Sequence, residues 1–257
     1  INFDFMDPPP AETLIRALEE LYALGALNDR GQLTKLGRRM AEFPLEPKLS
    51  KTMIASEEYK CSSEVLAIIA MLNANNAVFY CPKDKKIHAE TARESFFRPG
   101  GDHLTLLNVY TQWADTNYST QWCFENFIQH RSMKRARDVY DQVLGLLERT
   151  EIPLLSAGGD IDAIRKAICS GFFQNSARLD KGGTYRTGKT KQSAAIHPSS
   201  SLKDSLPKWV VFNELVFTTK EFMRNVLEIR SAWLVEVAPH MYSDKDVGTD
   251  GSGRRGK

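Results

Sequence analysis

The hydrophobic periodicity of this 257-residue chain changes once along its length, and this change most limits the folds that it can adopt. Up to about residue 150, apolar side chains recur at spacings of three and four, which predicts amphipathic helices. After about residue 170 they fall in short runs rich in β-branched and aromatic residues, bounded by Gly, Pro, Ser, Asn or Asp, which predicts strands. We therefore expect an α+β protein that is mostly helical and has a β-rich C-terminal part.

Residues 1–46 are predicted to form a small winged-helix-like unit. The first helix carries apolar residues at helical spacing, namely Leu14, Leu18 and Leu21. Gly25 is a suitable helix stop. A turn at 28–31 between short apolar pieces indicates a hairpin, and Thr34 is placed to cap a second helix.

Residues 47–150 have a helical pattern throughout, which predicts a helical, ratchet-like bundle. Ser62 or Ser63 is placed to cap a helix that reaches Leu72. Asp102 is a natural N-cap for another helix, and His103 then lies in the first turn of that helix.

Residues 151–242 are predicted to start with a short helix around Ile164 and to continue as a five-stranded barrel, with an OB-fold as the best match. The candidate strands are the runs at 172–173, 184–185, 194–196, 209–217 and 222–229. Residues 243–257 have almost no apolar content, so we expect a disordered tail.

Composition excludes several classes of protein. The four cysteines are widely spaced, with no C-x-x-C pair, so neither a zinc site nor a disulfide scaffold is expected. No apolar run is long enough for a membrane span. The N-terminus lacks the pattern of a signal peptide and reads as the edge of a longer chain. Residues 151–257 hold 16 Lys and Arg against 12 Asp and Glu, a mildly basic balance compatible with a nucleic-acid partner.

Residues 183–190, GTYRTGKT, match the letters of a nucleotide-binding P-loop. Such a loop must leave a buried strand and open a helix, so that backbone amides face the phosphates. Here the preceding residues 176–181 are too polar for a buried parallel strand, and Pro198 ends any following helix. We interpret the segment as a basic hairpin between barrel strands, in which Lys189 could contact RNA phosphates.

Two groups of polar side chains are candidates for RNA binding. Arg131, Lys134 and Arg135 share one helical face, and the alternative is a solvated face. His197 and Ser199 lie in a barrel loop, where hydroxyls and amides can bond phosphate oxygens, and the alternative is a turn that satisfies its own backbone. His103 is a weaker candidate, for an RNA or an interdomain contact.

An ordered set of motifs resembles the C-terminal half of DEAH-box RNA helicases. The set comprises GDHLTLLNVY at 101–110, WCFENF at 122–127, RSM at 131–133, IHPSS at 196–200 and LVFTTKE at 215–221. The likeness runs from FMDPP at 5–9 to WLVEVAP at 233–239. AVFYCPKDK at 77–85 is similar to the spliceosomal branch, and 110–114 and 226–229 are most similar to the member that remodels the activated spliceosome before the first splicing step.

The resemblance implies a module that clamps single-stranded RNA, here pre-mRNA, in the nucleus. The ATPase half, two RecA-like domains that use ATP and magnesium, is not in this sequence, so we expect no catalytic residues, no metal and no cofactor in the chain itself. The family pattern places Arg131, the His197 loop and the run Thr218, Thr219 and Lys220 near the RNA path. Other spliceosomal proteins and a glycine-rich G-patch protein are implied partners. We place the G-patch contact on an apolar patch of the first unit, formed by Leu24, Leu27, Leu33 and Leu36.

Two alternatives stay open. The chain could come from the sister helicase that releases spliced mRNA. It could also be a free-standing winged-helix nucleic-acid-binding adaptor, for which Arg38 and Arg39 are the one adjacent basic pair in the first unit.

Overall fold

A computed structural model describes residues 5–74 and 77–247, so Asn75 and Asn76 and both chain ends lie outside it. The helices are Ala11–Ala23 (α1), Lys35–Ala41 (α2), Pro47–Glu58 (α3), Ser62–Leu72 (α4), Lys86–Ser95 (α5), Asp102–Asp115 (α6), Thr120–Glu125 (α7), His130–Leu147 (α8), Ile161–Phe172 (α9), Ser231–Val237 (α10) and Asp244–Val247 (α11). The strands are Ser176–Leu179 (β1), Tyr185–Thr187 (β2), Ser193–Ile196 (β3), Trp209–Phe217 (β4) and Glu221–Glu228 (β5). The predicted α+β class, mostly helical with a five-stranded C-terminal barrel, is confirmed.

The first unit has the predicted order of helix, hairpin and helix. Leu27 and Leu33 form an antiparallel bridge, and the hydroxyl of Thr34 accepts the amide of Gly37 at 3.0 Å as the N-cap of α2. Gly37 is required at its position, because a Cβ there would lie 2.1 Å from the carbonyl oxygen of Ala26. The hairpin is therefore packed directly on α2.

The bundle is built around α4, whose residues 65–71 are all buried. On one side α3 packs closely on α9, where a Cβ on Gly171 would be 2.3 Å from the carbonyl oxygen of Lys48. On the other side α6, α7 and α8 enclose a second cluster around Trp113 and Phe96. The prediction of a serine cap on α4 was wrong, because Cys61 occupies the N-cap and the hydroxyl of Ser62 bonds the carbonyl oxygen of Pro153 at 2.6 Å.

The barrel is closed in the strand order β1-β2-β3-β5-β4, with β3 and β5 parallel and the other pairs antiparallel. Four of the five predicted strands are present. The run at 172–173 was wrong as a strand, since Phe172 ends α9 and Phe173 begins a single 3-10 turn. The first strand is instead β1. Its sequence is polar, but its first two residues, Ser176 and Ala177, are buried. A hydroxyl is tolerated there because Ser176 bonds the hydroxyl of Tyr242 at 2.8 Å.

The bundle is joined to the barrel at the start of α6. Gly101 is the N-cap of this helix, so the prediction that Asp102 caps it was wrong. The Asp102 carboxylate instead accepts the amide of Ser201 at 2.7 Å and the amide of Val226 at 2.8 Å. Gly101 has φ +128°, and a Cβ there would lie 2.4 Å from the carbonyl oxygen of Val226, so no other residue fits without moving β5.

The chain end is partly ordered. The prediction of disorder from residue 243 onward was wrong for Asp244–Val247, which form α11 with Val247 buried. The remaining tail and residues 1–4 lie outside the described residues. Within the described ranges, no helix has the length and apolar character to cross a bilayer, and no cluster of His, Cys, Asp or Glu is arranged to hold a metal ion.

Candidate nucleic-acid interface

A polar cleft of about 590 Å³ lies between the helical bundle and the barrel. Its walls include Asn73, Phe79 and Arg93 from the bundle and His197, Ser199, Asn213, Arg224 and Asn225 from the barrel. The acidic groups Glu46, Asp102 and Glu214 also line it. Two of these carboxylates are already engaged, since Asp102 accepts backbone amides and Glu214 lies 3.6 Å from Arg224.

Arg93 connects the two walls. Its guanidinium donates to the carbonyl oxygen of Ser199 and lies 5.0 Å from the centre of the Phe79 ring. Burial lowers the pKa of Arg93, yet an arginine stays charged at neutral pH. Its Nε is buried and has no hydrogen-bond partner among the described residues. The cleft therefore contains a cation with unused donor capacity.

His197 and Ser199 form a compact turn on the opposite wall. The Nδ1 of His197 accepts the amide of Ser199 at 3.1 Å and lies 2.7 Å from its hydroxyl. Burial and the neighbouring Arg224 and Arg93 lower the pKa of His197, so the ring is neutral at pH 7. Because Nδ1 accepts the amide, the ring proton lies on Nε2, which is a donor.

The turn between β4 and β5 extends the same end of the barrel. Thr218, Thr219 and Lys220 are all exposed, and the ammonium of Lys220 lies 5.2 Å from the Phe222 ring. Phe222 in turn meets the His197 ring edge-on at 5.6 Å. The structure thus brings together two of the predicted groups, the His197 loop and the Thr218–Lys220 run.

The predicted basic face of α8 does not line the cleft, and the helix is tied to the cleft wall through the side-chain hydroxyl of Ser132 on its buried side. Ser132 donates to the carbonyl oxygen of Ala77 at 3.0 Å, and residues 77–79 line the cleft. Arg131, Lys134 and Arg135 are exposed on this helix. The side chains of Arg131 and Lys134 make no ion pair with any described residue.

Lys189 is not part of this arrangement. It lies in the loop before β3, whereas His197 follows β3, so the strand separates the two. Its ammonium is 3.5 Å from the side-chain oxygen of Gln174. The segment 183–190 contains β2 and the start of the loop that leads to β3, and no helix lies between these strands. A P-loop must open a helix, so this segment does not have P-loop geometry.

The prediction of an RNA contact at His103 is not supported, because this side chain is 1% exposed. Its ring meets Phe172 of α9 edge-on at 6.4 Å, and neither ring nitrogen has a hydrogen-bond partner among the described residues. Desolvation lowers the pKa of His103 to about 4, so the ring is neutral in the folded protein. His103 therefore packs between α6 of the bundle and α9 of the C-terminal unit, in agreement with the alternative prediction of an interdomain contact.

The four leucines of the predicted docking patch differ in how far they are buried. Leu24 is 1% exposed and belongs to the core, which excludes it from a surface contact. Leu27 and Leu36 are half-buried, and Leu33 is 49% exposed. An adaptor that binds duplex DNA through Arg38 and Arg39 is disfavoured, since Arg39 is paired with Glu57 at 2.8 Å.

Sequence reasoning missed five polar side chains of the cleft, and none of them stands in a motif of its own. They come from four places in the chain: Asn73 directly after α4, Arg93 on α5, Asn213 on β4, and Arg224 and Asn225 on β5. The strand pattern did not single out Arg224 either, because Val226, which strict alternation would place on the same face as Arg224, is buried.

Three domain families match the chain in order. The helicase-associated domain HA2, winged-helix, matches residues 17–45, and the ratchet-like HA2 domain matches residues 46–106. The oligonucleotide/oligosaccharide-binding (OB) fold matches residues 164–242. These ranges coincide with the helix-hairpin-helix unit, the first part of the bundle and the barrel. The chain therefore carries the winged-helix, ratchet-like and OB-fold domains that make up the C-terminal module of DEAH-box helicases.

Proposed function

We propose that this chain is the RNA-clamping part of a DEAH-box helicase and that single-stranded RNA passes along the cleft between bundle and barrel. The observation that carries the proposal is the convergence of Arg93, His197 and Arg224 on one cleft, with the exposed Lys220 turn at its end. Guanidinium groups, an imidazole donor and hydroxyls suit phosphate and ribose oxygens.

Such contacts hold a strand without reading its bases. Binding is then weakly dependent on sequence and strongly dependent on salt, because cations released from RNA drive it. The bundle and barrel are fixed to each other by the Asp102 bonds, so the cleft is a preformed channel wall. ATP hydrolysis, with magnesium, belongs to RecA-like domains of the parent protein, which move RNA against this wall.

We further propose that the parent acts on pre-mRNA in the nucleus, beside other spliceosomal proteins. The motifs at 77–85, 110–114 and 226–229 support the step before the first splicing reaction, with mRNA release by the sister enzyme as the alternative.

Replacing both Arg93 and Arg224 by glutamine is expected to weaken binding of single-stranded oligouridine about tenfold at moderate salt. The slope of log affinity against log salt should become shallower by about 0.7 for each phosphate that the variant no longer neutralises. Fluorescence anisotropy over a salt series measures both quantities.

The matched control replaces Lys189 and Lys181 by glutamine. It removes the same charge from the exposed hairpin, away from the cleft, and should change affinity less than about twofold. If the control weakened binding as much as the Arg93 and Arg224 pair, attraction would be general and the cleft would not be the RNA path.

We also propose that a G-patch protein docks on the first unit at Leu27, Leu33 and Leu36. Changing Leu33 to aspartate is expected to weaken binding of a glycine-rich G-patch peptide about tenfold, since a charge cannot be buried in an apolar contact. Calorimetric titration checks this. Ile15, 55% exposed on α1, gives the control, and an equal loss in Ile15→Asp would place the contact elsewhere.

A further inference from the structure

A second groove, of about 1100 Å³, lies between α8 and the segment that follows it. Its apolar floor is formed by Leu144, Leu147, Ile152, Pro153 and Leu154. Leu147 and Ile152 are buried, but Leu154 is 49% exposed, so the groove opens apolar surface to water. Apolar surface of this kind is stabilised when a partner covers it.

The rim of this groove is acidic. It is lined by Glu57, Asp141, Glu148 and Glu151, and by no Lys or Arg of the described residues. Glu57 is paired with Arg39, and Asp141 lies 4.0 Å from Arg137. Glu148 and Glu151 have no ion-pair partner in the part of the chain that the structure describes. An apolar floor between unpaired carboxylates fits an occupant that is both apolar and cationic.

Gly145 is the second indication of an occupant. It lies inside α8, and a Cβ there would meet nothing within 4 Å, so the packing of the fold does not require glycine. Glycine lowers helix stability relative to alanine, and its use is to let another backbone come close. Asp141, Leu144, Gly145 and Glu148 fall at i, i+3, i+4 and i+7, which is one face of the helix. Over two turns this face presents the carboxylate of Asp141, then the apolar surface at Leu144 and Gly145, and then the carboxylate of Glu148.

The opposite wall is held in place before any partner binds. The hydroxyl of Ser62 donates to the carbonyl oxygen of Pro153 at 2.6 Å and accepts the amide of Leu155 at 2.8 Å. The carboxylate of Glu64 accepts the amide of Ala157 at 3.1 Å. A preformed wall lowers the ordering cost of binding.

We propose that this groove binds a short amphipathic helix of a partner protein, with leucines on its inner face and Lys or Arg on both flanks. The face of α8 from Asp141 to Glu148 is about 10 Å long at a rise of about 1.5 Å per residue, which matches about two turns of such a helix. The inference is independent of RNA binding. Apart from Glu57, the groove lies between the matched ranges that end at residue 106 and resume at residue 164.

The test titrates the full chain into a fluorescent peptide of about 14 residues, built only of leucine and lysine in helical register. The wild type should bind it, whereas a peptide of the same composition in scrambled order should bind at least about tenfold more weakly. Gly145→Trp fills the groove without replacing a side chain of the core, and it should weaken binding at least about tenfold.

Charge is tested by reversal. The variant with Glu148→Arg and Glu151→Arg should weaken peptide binding about tenfold, and its control, Glu19→Arg with Asp115→Arg, should leave binding within about twofold. Circular dichroism confirms that each variant is folded. The proposal would be overturned if the control pair lost as much peptide affinity as the pair Glu148→Arg with Glu151→Arg. It would also be overturned if Gly145→Trp bound the peptide as tightly as the wild type. A concentration-dependent dimer that Gly145→Trp dissociates would also overturn it, since the groove would then bind a second copy of the chain.

Discussion

Replacing Asp102 by alanine is expected to lower the free energy of unfolding by about 4 kcal/mol, because two backbone amides lose a charged acceptor. The carboxylate accepts the amide of Ser201 at 2.7 Å, its hydroxyl at 3.0 Å and the amide of Val226 at 2.8 Å. The partners lie in the barrel and the acceptor in the bundle, so the loss falls on the junction between them. Urea denaturation measures the total effect.

A local measurement identifies the cause. The amide of Val226 is bonded to Asp102, so its hydrogen exchange should accelerate in Asp102→Ala more than that of other β5 amides. Asp102→Asn keeps one acceptor oxygen, but its side-chain NH2 then faces a backbone N–H that has lost its acceptor. It should lower the free energy of unfolding by about half as much as Asp102→Ala.

Asp115 at the other end of α6 provides the matched control. It is exposed, and Asp115→Ala should change stability by less than about 0.5 kcal/mol. If Asp102→Ala behaved like Asp115→Ala, the junction would be held by other contacts.

Asp102 also shows where sequence reasoning about the fold ends. Periodicity was enough for the helices α1, α4, α6 and α8 and for four of the five strands, because these patterns depend on neighbours within one element. Asp102 and Ser62 stand where a helix begins, so the sequence predicted that their side chains cap those helices. Both side chains instead bond partners about 90 or more residues away, namely Ser201 for Asp102 and Pro153 for Ser62. No local pattern distinguishes these two uses of a short polar side chain.

The candidate site shows the same limit. His197 and Ser199 could be selected because they stand together in one loop, and Thr218 to Lys220 because they belong to a motif that resembles the helicase family. Arg93 could not, since its partners Phe79 and Ser199 are distant in sequence and its charge resembles that of any exposed arginine. For His103 the RNA contact is not supported and the interdomain alternative agrees with its packing on Phe172, because the first turn of a helix does not show which neighbouring helix will cover it.

Acidification is expected to destabilise the protein through His103, and the sign follows from its burial. Desolvation lowers the pKa of His103 to about 4 in the folded state, whereas an unfolded histidine titrates near about 6.5. Between these values the unfolded chain binds more protons, so the free energy of unfolding falls as the pH falls from about 6.5 to about 4. The contribution of this one group reaches about 3 kcal/mol at pH 4.

His103→Leu removes this contribution, since it replaces a buried ring whose nitrogens have no partners among the described residues by an apolar side chain of similar size. Its stability at pH 7 should stay within about 1 kcal/mol of the wild type, and its loss between pH 7 and pH 4 should be smaller by about 3 kcal/mol. Urea denaturation at a series of pH values measures the difference. His88→Leu, at an exposed position on α5, should keep the wild-type pH dependence. If His103→Leu kept it too, the acid sensitivity would come from other groups, and His103 would accept a proton without leaving its place between α6 and α9.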